Sequence, residues 1–401
     1  MRILALGGNG SVGRYTCRIV AGLDGVSELV IADLDGAQAT TFANQLGNRA
    51  RGIGLDVSNA TALEAALRGA DVVLNTVGPF FRFGVPVLTA AIEAGCHYLD
   101  ICDDWEPTLD MLALSERARA AEVTALIGMG ATPGASNLLA LVAAGELGSV
   151  HTVITGWNVA ATRPAGEAAL VHGIREMTGT IRVRRDGRAV DEPPLRREII
   201  DYPGCGQRPA LTFGHPEPVT LDRTIDGVTT NLNVVTGFTR LMTVLRWTVD
   251  HGVLSLRRAA RFAGWLERHQ AVPTPAELFA PAGLPPLFAL ARGTKDGVPA
   301  TAAAALTAFP GLSMAAVTGA PLAVALRLLL SGAISQHGVF APEVVMDPRA
   351  FFAELRSFCP GPPNPGDLVL VTRSWDANAG SAFRAGMARA RADVEQFARR
   401  S

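Results

Sequence analysis

The chain of 401 residues is 48% hydrophobic and carries a formal net charge of −1 at pH 7. This length suffices for a large buried core and predicts two domains, and the near-neutral charge argues against a nucleic acid or another polyanion as partner. The five cysteines are scattered without a CxxC pair, which favours a reducing compartment and a cytoplasmic location. Proline and glycine interrupt the most apolar stretch, residues 298–334, before it reaches the ~20 apolar residues of a membrane helix, so we expect no membrane partner.

The first 33 residues follow the order of a dinucleotide-binding βαβ unit. Residues 2–6 predict a buried strand, residues 14–21 a helix and residues 29–32 a second strand that ends at Asp33. The loop between the first strand and the helix supplies the predicted phosphate-binding residues Gly8, Asn9, Gly10, Ser11, Val12 and Gly13. Glycines let the backbone approach a pyrophosphate, and the helix amino terminus faces it with free N–H groups. The alternative is a glycine-rich turn in another kind of α/β protein.

Asp33 indicates which dinucleotide the unit prefers. A carboxylate at the end of the second strand accepts hydrogen bonds from the two ribose hydroxyls of an adenosine. It also repels a 2′-phosphate, so we expect NAD rather than NADP. Arg14 keeps NADP possible, because a guanidinium pairs well with a phosphate.

Strands and helices continue to alternate as far as about residue 128, which predicts a parallel, doubly wound sheet of the Rossmann type. The further predicted strands are residues 51–55, 71–75, 96–100 and 123–127, and the predicted helices are residues 37–46, 61–67, 86–94 and 109–121. Ligands of such sheets bind at the carboxyl ends of the strands. Further cofactor contacts are therefore expected at Asp56, Val57, Asn75, Val77, Gly78, Pro79 and Gly130.

Aromatic and acidic residues follow the fourth and fifth strands. Phe80 could border the nicotinamide and the substrate, or pack as an ordinary core aromatic. Asp103 is the first candidate for the catalytic proton transfer, because crowded carboxylates raise one another's pKa. Asp104 is a further candidate, although it could simply cap the following helix. His97 is the second choice for the proton, with an ordinary strand histidine as the alternative.

A second glycine-rich loop, residues 128–134, leads into a predicted helix over 135–144. Its backbone N–H groups could face the cofactor or a substrate carboxylate, and Thr132, Pro133 and Asn137 are candidate substrate contacts. The alternative is an interdomain hinge, and both roles are compatible.

The rest of the chain predicts a mixed α+β domain. Strand-like segments at residues 152–155 and 180–183 are followed by predicted helices at 238–251 and 254–268. These two apolar helices suggest a partner surface, and we expect a homodimer. Residues 300–309 fit either a helix or a hairpin strand. In the loop 214–218, two prolines restrict the backbone beside His215 and Glu217, which predicts a substrate or subunit contact. No partner stands at ligand spacing, so we expect no metal site.

Together these motifs resemble the saccharopine dehydrogenase-like family, which includes lysine and carboxynorspermidine dehydrogenases. The matching segments are residues 7–13, 77–80, 94–101, 128–134, 214–218, 318–321 and 338–343. The resemblance implies a Rossmann domain with an inserted α+β substrate and dimerisation domain. The implied boundaries are 1–130 for the Rossmann domain, 131–317 for the insertion, 318–360 for the return to the first domain and 361–401 for a C-terminal extension.

The resemblance also implies hydride transfer at a C–N bond of an amino acid, opine or polyamine-like amine. Two alternatives keep the cofactor. One is aminoalkyl transfer of the homospermidine synthase kind, without net redox change. The other is a non-catalytic sensor that binds a dinucleotide.

Overall fold

A computed structural model of the chain describes residues 1–159, 167–237, 240–269, 279–280, 283–311, 313–359 and 368–398. Along residues 1–134 the elements are β1 (Arg2–Leu6), α1 (Ser11–Val20), β2 (Glu28–Asp33), α2 (Gly36–Gln45), β3 (Ala50–Gly54), α3 (Ala60–Leu67), β4 (Val72–Asn75), α4 (Phe80–Glu93), β5 (His97–Asp100), α5 (Trp105–Leu112), α6 (Ser115–Ala120) and β6 (Thr124–Leu126).

Residues 135–313 contain α7 (Ala135–Ala144), β7 (Ser149–Asn158), α8 (Glu167–Glu176), β8 (Ile181–Arg185), β9 (Arg188–Glu192), β10 (Arg197–Tyr202), β11 (Gly206–Thr212), α9 (Glu217–Thr220), β12 (Thr230–Thr236), α10 (Arg240–Asp250), α11 (Leu256–His269), β13 (Leu287–Lys295) and β14 (Val298–Leu306). Residues 314–401 add α12 (Met314–Leu330), β15 (Gly338–Phe340), α13 (Pro342–Val345), α14 (Pro348–Leu355), β16 (Val369–Arg373) and α15 (Ala379–Ala398).

By their internal contacts the residues divide into two units: Met1–Gly134 with Met314–Met346, and Ala135–Ser313 with Asp347–Ser401. In the described part of the first unit, seven parallel strands form one sheet in the order β15-β6-β5-β4-β1-β2-β3. The inner strands β1, β4 and β5 are almost fully buried, as expected where helices cover both faces of a parallel sheet, whereas the edge strand β3 is partly exposed. The predicted Rossmann sheet is confirmed.

The return of the chain to the first unit is made by α12 and β15. Helix α12 packs on α1, where the Thr16 hydroxyl donates to the carbonyl oxygen of Gly319 at 3.1 Å. A Cβ on Gly319 would lie only 2.9 Å from that hydroxyl, so the close approach requires glycine. Strand β15 then pairs with β6 at the sheet edge.

The second unit is built on a mixed sheet. Its described strands follow the order β10-β11-β12-β7-β13-β14-β16, and β8 and β9 branch from β12. Strand β12 runs parallel to β7, and β13 pairs antiparallel with both β7 and β14. Helix α7 packs on this part of the sheet, where buried alanines leave room for its backbone. The ambiguous residues 300–309 therefore begin as a hairpin strand.

The C-terminal segment differs from the predicted extension. Strand β16 pairs with β14 inside the second sheet, and Arg373 forms a two-pronged ion pair with Glu146 at 2.7 Å. Residues from Asp347 onward thus group with the second unit, because β16 completes one of its edges. Residues 361–367 and 399–401 of that segment lie outside the described residues.

No helix in the described ranges combines the length and apolar character needed to cross a bilayer.

Candidate functional site

The loop after β1 brings the backbone close to the position of a bound phosphate. Gly7 has a left-handed φ of 69°, and its carbonyl oxygen accepts from the Gly10 N–H at 2.9 Å. A Cβ on Gly13 would fall on that same carbonyl oxygen, so the helix approaches the turn only with glycine there. Gly10 and Ser11 are exposed at the amino end of α1, whose first N–H groups lack intrahelical partners. This arrangement fits the pyrophosphate of a dinucleotide.

Two further residues of this loop, Gly8 and Val12, face the interior of the first unit. Gly8 is buried, and a Cβ there would lie 2.9 Å from the carbonyl oxygen of Ala5. Val12 is half-buried, and its carbonyl oxygen faces Gly319 of α12. The tight turn thus requires glycine at Gly8, and Val12 borders α12.

Asp33 and Arg14 lie on either side of Asn9. The Asp33 carboxylate accepts from the Asn9 N–H at 3.0 Å and from the Leu34 N–H at 2.9 Å. Arg14 donates to the Asn9 side-chain oxygen at 2.6 Å, and its guanidinium lies 4.2 Å from the centre of the Phe42 ring. An acceptor for ribose hydroxyls and a cation suited to a 2′-phosphate thus both bind Asn9.

The loop after β4 is fastened to the loop after β1. The Thr76 hydroxyl lies within hydrogen-bond distance of the carbonyl oxygens of Leu6 and Gly7, at 3.0 and 3.1 Å. The Val77 N–H donates to the side-chain oxygen of Asn75 at 3.0 Å. The next two residues, Gly78 and Pro79, lead directly into α4. Asn75 and Val77 therefore shape the backbone beside the expected cofactor.

Asp100 joins the loops after β5 and β6. One carboxylate oxygen accepts from the N–H groups of Cys102 at 3.0 Å and Gly128 at 2.7 Å. The other accepts from the Tyr98 hydroxyl at 2.9 Å, and that hydroxyl accepts from the Asn75 side-chain amide at 2.9 Å. Burial raises the pKa of Asp100 to about 6, although these hydrogen bonds oppose the shift.

Asp104 caps a neighbouring helix. It is buried, and its carboxylate accepts from the N–H of Phe81 at 2.9 Å, in the first turn of α4. Pro79, the residue before that helix, offers no side-chain acceptor of its own. Asp103, the residue before Asp104, is only half-buried. Asp103 is therefore the more accessible of the two predicted proton-transfer residues.

Phe80 lies in the hydrophobic core of the first unit. Helix α4 begins at Phe80 and contains Pro86, whereas the sequence predicts its start at residue 86. The Phe80 ring is 4% exposed and belongs to the apolar core that includes Val87 and Tyr98. The ring of Phe80 thus packs as a core aromatic, which is the alternative that the sequence left open, and its role at the substrate stays a prediction.

His97 and Asp56 lie apart from the residues gathered around Asp100. His97 opens β5, at the edge opposite the carboxyl ends, and its Nδ1 accepts from the Thr124 N–H at 3.0 Å. Burial lowers the pKa of His97. Asp56 is exposed, and its carboxylate accepts from both the N–H and the hydroxyl of Ser58. The adjoining Val57 is half-buried against the core.

The second glycine-rich loop uses several of its N–H groups internally. The Met129 N–H donates to the carbonyl oxygen of Asp100 at 2.7 Å, and the Gly130 N–H donates to that of Pro133 at 2.9 Å. Thr132 is half-buried. These bonds hold the loop in shape, and they leave fewer N–H groups for a cofactor or substrate than the sequence suggests.

His215 and Glu217 are buried within the second unit. His215 Nδ1 lies 3.0 Å from one Glu217 oxygen, and the Ser136 hydroxyl donates to the other at 2.7 Å. The side chains of His215 and Glu217 are 3% and 0% exposed. Asn137 is also buried and donates to the Thr220 hydroxyl at 3.2 Å. Because the Ser136 hydroxyl donates to the carboxylate and not to the imidazole, this is not the geometry of a serine nucleophile.

Aromatic rings surround His215. The imidazole centre lies 5.8 Å from Trp157, 6.1 Å from Phe213 and 5.5 Å from His172. The hydrogen-bonded side chains of Ser136, Glu217 and His215 thus lie beside these aromatic rings. Such an environment strengthens hydrogen bonds within the second unit.

Sequence reasoning missed Tyr98 and Thr76 as organising residues. Tyr98 and Asp100 stand two apart on β5, so strand alternation alone places them on one face. Pairing with Asn75 depends on the β4–β5 register, in which Asn75 lies opposite Asp100. That register is a tertiary property.

Curated relatives match part of the chain. A putative trans-acting enoyl reductase of Mycobacterium tuberculosis is 24% identical over 220 residues, which are 52% of this chain and 51% of the relative. A trans-acting enoyl reductase of Mycobacterium leprae is 26% identical over 145 residues, 35% of each chain. The chain thus spans about half the length, or less, of these curated relatives.

The family model of the saccharopine dehydrogenase NADP binding domain matches residues 3–126. Among solved structures, apo saccharopine dehydrogenase (L-Glu forming) of Saccharomyces cerevisiae has a TM-score of 0.58 at 17% identity and covers 89% of this chain and 97% of its own. That likeness extends the shared fold beyond the first domain. Residues 3–126 therefore form a domain of the kind that binds a nicotinamide dinucleotide, and the chain as a whole has a fold similar to that of the yeast saccharopine dehydrogenase.

Proposed function

We propose that this chain is an NAD(P)-dependent oxidoreductase that transfers hydride at the C–N bond of an amine or amino-acid substrate. The bound nicotinamide accepts or supplies the hydride. The exposed amino end of α1 would hold the pyrophosphate, and Asp33 would hold the adenosine ribose. We propose NAD(H) as the preferred form, because the Asp33 carboxylate opposes a 2′-phosphate.

The observation that carries the choice of a C–N bond is the acidity of the sheet's carboxyl edge. Three carboxylates end or follow the strand β5: Asp100, Asp103 and Asp104. Oxidation of an amine at carbon creates an iminium cation, which nearby carboxylates stabilise. Reduction of an enoyl thioester instead builds negative charge on its carbonyl oxygen, which the same carboxylates would oppose.

Asp103 is the proposed proton-transfer group. An amine substrate arrives largely as the ammonium ion, and a proton must leave nitrogen before hydride leaves carbon. Asp103 would accept that proton, and in the reverse direction it would return it to the newly formed amine. Asp100 would position this segment through its bond to the Cys102 N–H. Asp104 would do so through its bond to α4.

A second candidate is reduction of a C=C bond, since the curated relatives are named trans-acting enoyl reductases. It requires the same cofactor site and differs in the atom that receives hydride. The oxyanion that it creates would need donors that offset the acidic edge.

The two reactions are separated by following deuterium from 4-deuterated NADH. The purified chain is incubated with 2-oxo acids and amines in one set, and with an enoyl thioester in the other. Deuterium on the carbon bonded to nitrogen supports the proposal. Deuterium on the β-carbon of the thioester selects the second candidate, and label in neither product contradicts both.

Asp103→Asn is the matched variant for the proton role, with the exposed Asp110→Asn of α5 as its control. We expect Asp103→Asn to lower turnover by about 100-fold or more and to leave NADH binding unchanged. Equal turnover in the two variants would remove Asp103 from the mechanism.

A further inference from the structure

Helices α10 and α11 concentrate exposed apolar side chains. Of the twelve exposed large hydrophobic residues in the described part of the chain, four lie on these helices and one, Val253, lies between them: Val244 (58% exposed), Trp247 (55%), Val253 (59%), Phe262 (44%) and Trp265 (49%). Single exposed hydrophobic residues are common, but a cluster on consecutive helices marks an interaction surface. We name these five residues, with Arg257, Arg258 and Arg261, the Arg–Trp surface.

The Arg–Trp surface is cationic as well as apolar. Arg258, Arg261 and Trp265 recur at helical spacing on the outward side of α11, whereas Ala259 and Ala260 are buried on its inward side. Residues 240–269 contain six arginines and two acids, a formal net charge of +4 in a chain whose total is −1. The face is therefore suited to a partner that is both anionic and apolar.

A second copy of the chain fits this surface poorly. A two-fold contact places the same patch of both subunits together, which would bring the α11 arginines of one against those of the other. The local acids are too few to offset six arginines. The homodimer expected from these helices thus meets like-charge repulsion here.

We propose that the Arg–Trp surface binds the surface of an anionic lipid bilayer. Tryptophan prefers the boundary between hydrocarbon and headgroups, since its ring is apolar and its N–H is polar. Arginines beside it attract anionic headgroups, and the aromatic and valine side chains enter the acyl boundary. A soluble acidic protein would satisfy the arginines but needs no protruding tryptophans.

This proposal departs from the expectation of no membrane partner. That expectation concerns a segment long enough to cross the bilayer, whereas an amphipathic helix lies in the interface without crossing it. The proposal does not depend on the substrate proposed above, because the Arg–Trp surface uses none of the residues assigned to the reaction.

The test uses the full chain and vesicles of two compositions. Flotation is measured with phosphatidylcholine vesicles and with vesicles that also contain phosphatidylglycerol. We expect binding to the anionic vesicles, little binding to the neutral ones and weaker binding as salt is raised. Tryptophan emission should shift to the blue with the anionic vesicles, as rings leave water.

Arg257→Gln with Arg258→Gln removes two charges from the surface. The matched control is Arg188→Gln with Arg197→Gln, two exposed arginines on strands of the same unit. Membrane binding should fall roughly 30-fold in the first variant and stay unchanged in the control. Trp247→Ser should weaken binding without altering its salt dependence, and melting temperatures show that each variant folds.

Three results would overturn the proposal. One is the absence of flotation with phosphatidylglycerol vesicles at low salt. Another is equal loss of binding in the surface variant and in its control. The third is binding of soluble polyglutamate with the affinity shown for vesicles and the same response to Trp247→Ser, which would identify an acidic polymer and not a bilayer as the partner.

Discussion

The Tyr98 hydroxyl donates to the Asp100 carboxylate at 2.9 Å while accepting from the Asn75 amide at 2.9 Å. Through Asn75, Tyr98 and Asp100 the loops after β4, β5 and β6 are joined at the edge of the sheet where the cofactor is expected. All three side chains are buried, so the bonds are formed in a medium of low dielectric constant. The geometry of the site therefore depends on residues that need not touch a substrate.

Asp100→Asn should change how stability depends on pH. Burial raises the folded-state pKa of Asp100 from 3.8 to about 6. The stability associated with its protonated form is complete below pH 3.8 and is lost as the pH rises through about 6. Raising the pH from about 4 to about 7 should therefore lower the free energy of unfolding of the natural protein by up to ~3 kcal/mol more than that of Asp100→Asn. Urea unfolding at each pH measures both values. Parallel pH profiles for the two proteins would show that Asp100 titrates normally.

Asp33→Ser should shift the preference between the two dinucleotides. Removing the carboxylate lowers repulsion toward a 2′-phosphate and leaves Arg14 in place beside Asn9. We expect the ratio of NADPH to NADH affinity to rise about tenfold or more, measured by fluorescence titration. Asp35→Ser, which alters an exposed acid two residues away, is the control. An equal change of this affinity ratio in both variants would show that Asp33 does not bind the adenosine ribose.

Asp104→Ala should destabilise the protein, since it removes the acceptor of the Phe81 N–H at the start of α4. A lost helix cap costs about 1–2 kcal/mol. Asp104→Asn retains a side-chain oxygen and should cost less. Urea unfolding gives both values, and equal stability of Asp104→Ala and the natural protein would refute the capping role.

Alkylation of the native protein should reach Cys205 before the other cysteines. Cys17, Cys96, Cys102 and Cys359 are buried, whereas Cys205 is partly exposed. Burial raises the pKa of Cys17 to about 12 and that of Cys102 well above its usual range, so these thiols stay protonated. Peptide mass spectrometry after brief iodoacetamide treatment measures the order. Labelling of Cys102 as fast as Cys205 would indicate an accessible, activated thiol.

The first unit could be predicted closely because its pattern is local. Period-two and helical patterning predict the six strands before residue 128, and glycine spacing predicts which loop binds the cofactor. The sequence predicts the start of α4 too late, since Pro86 suggests a helix start, whereas the helix begins at Phe80 and contains the proline.

The second unit depends more on contacts distant in sequence. Residues 300–306 have the alanine content of a helix but lie in β14, where Ala303 pairs with Leu290 and Ala304 with Ala289. Strand β16 pairs with β14 in that sheet although more than 60 residues separate the paired positions in the sequence. Similarly, no local pattern reveals that the Ser136 hydroxyl donates to Glu217.

The central claim is that the opening βαβ unit binds a nicotinamide dinucleotide. Equilibrium titration of the purified chain with NADH and NADPH tests it most directly. We predict saturable binding with one cofactor per chain, tighter for NADH, together with a rise in melting temperature. Titrations in which neither cofactor changes protein fluorescence or melting temperature would contradict the claim.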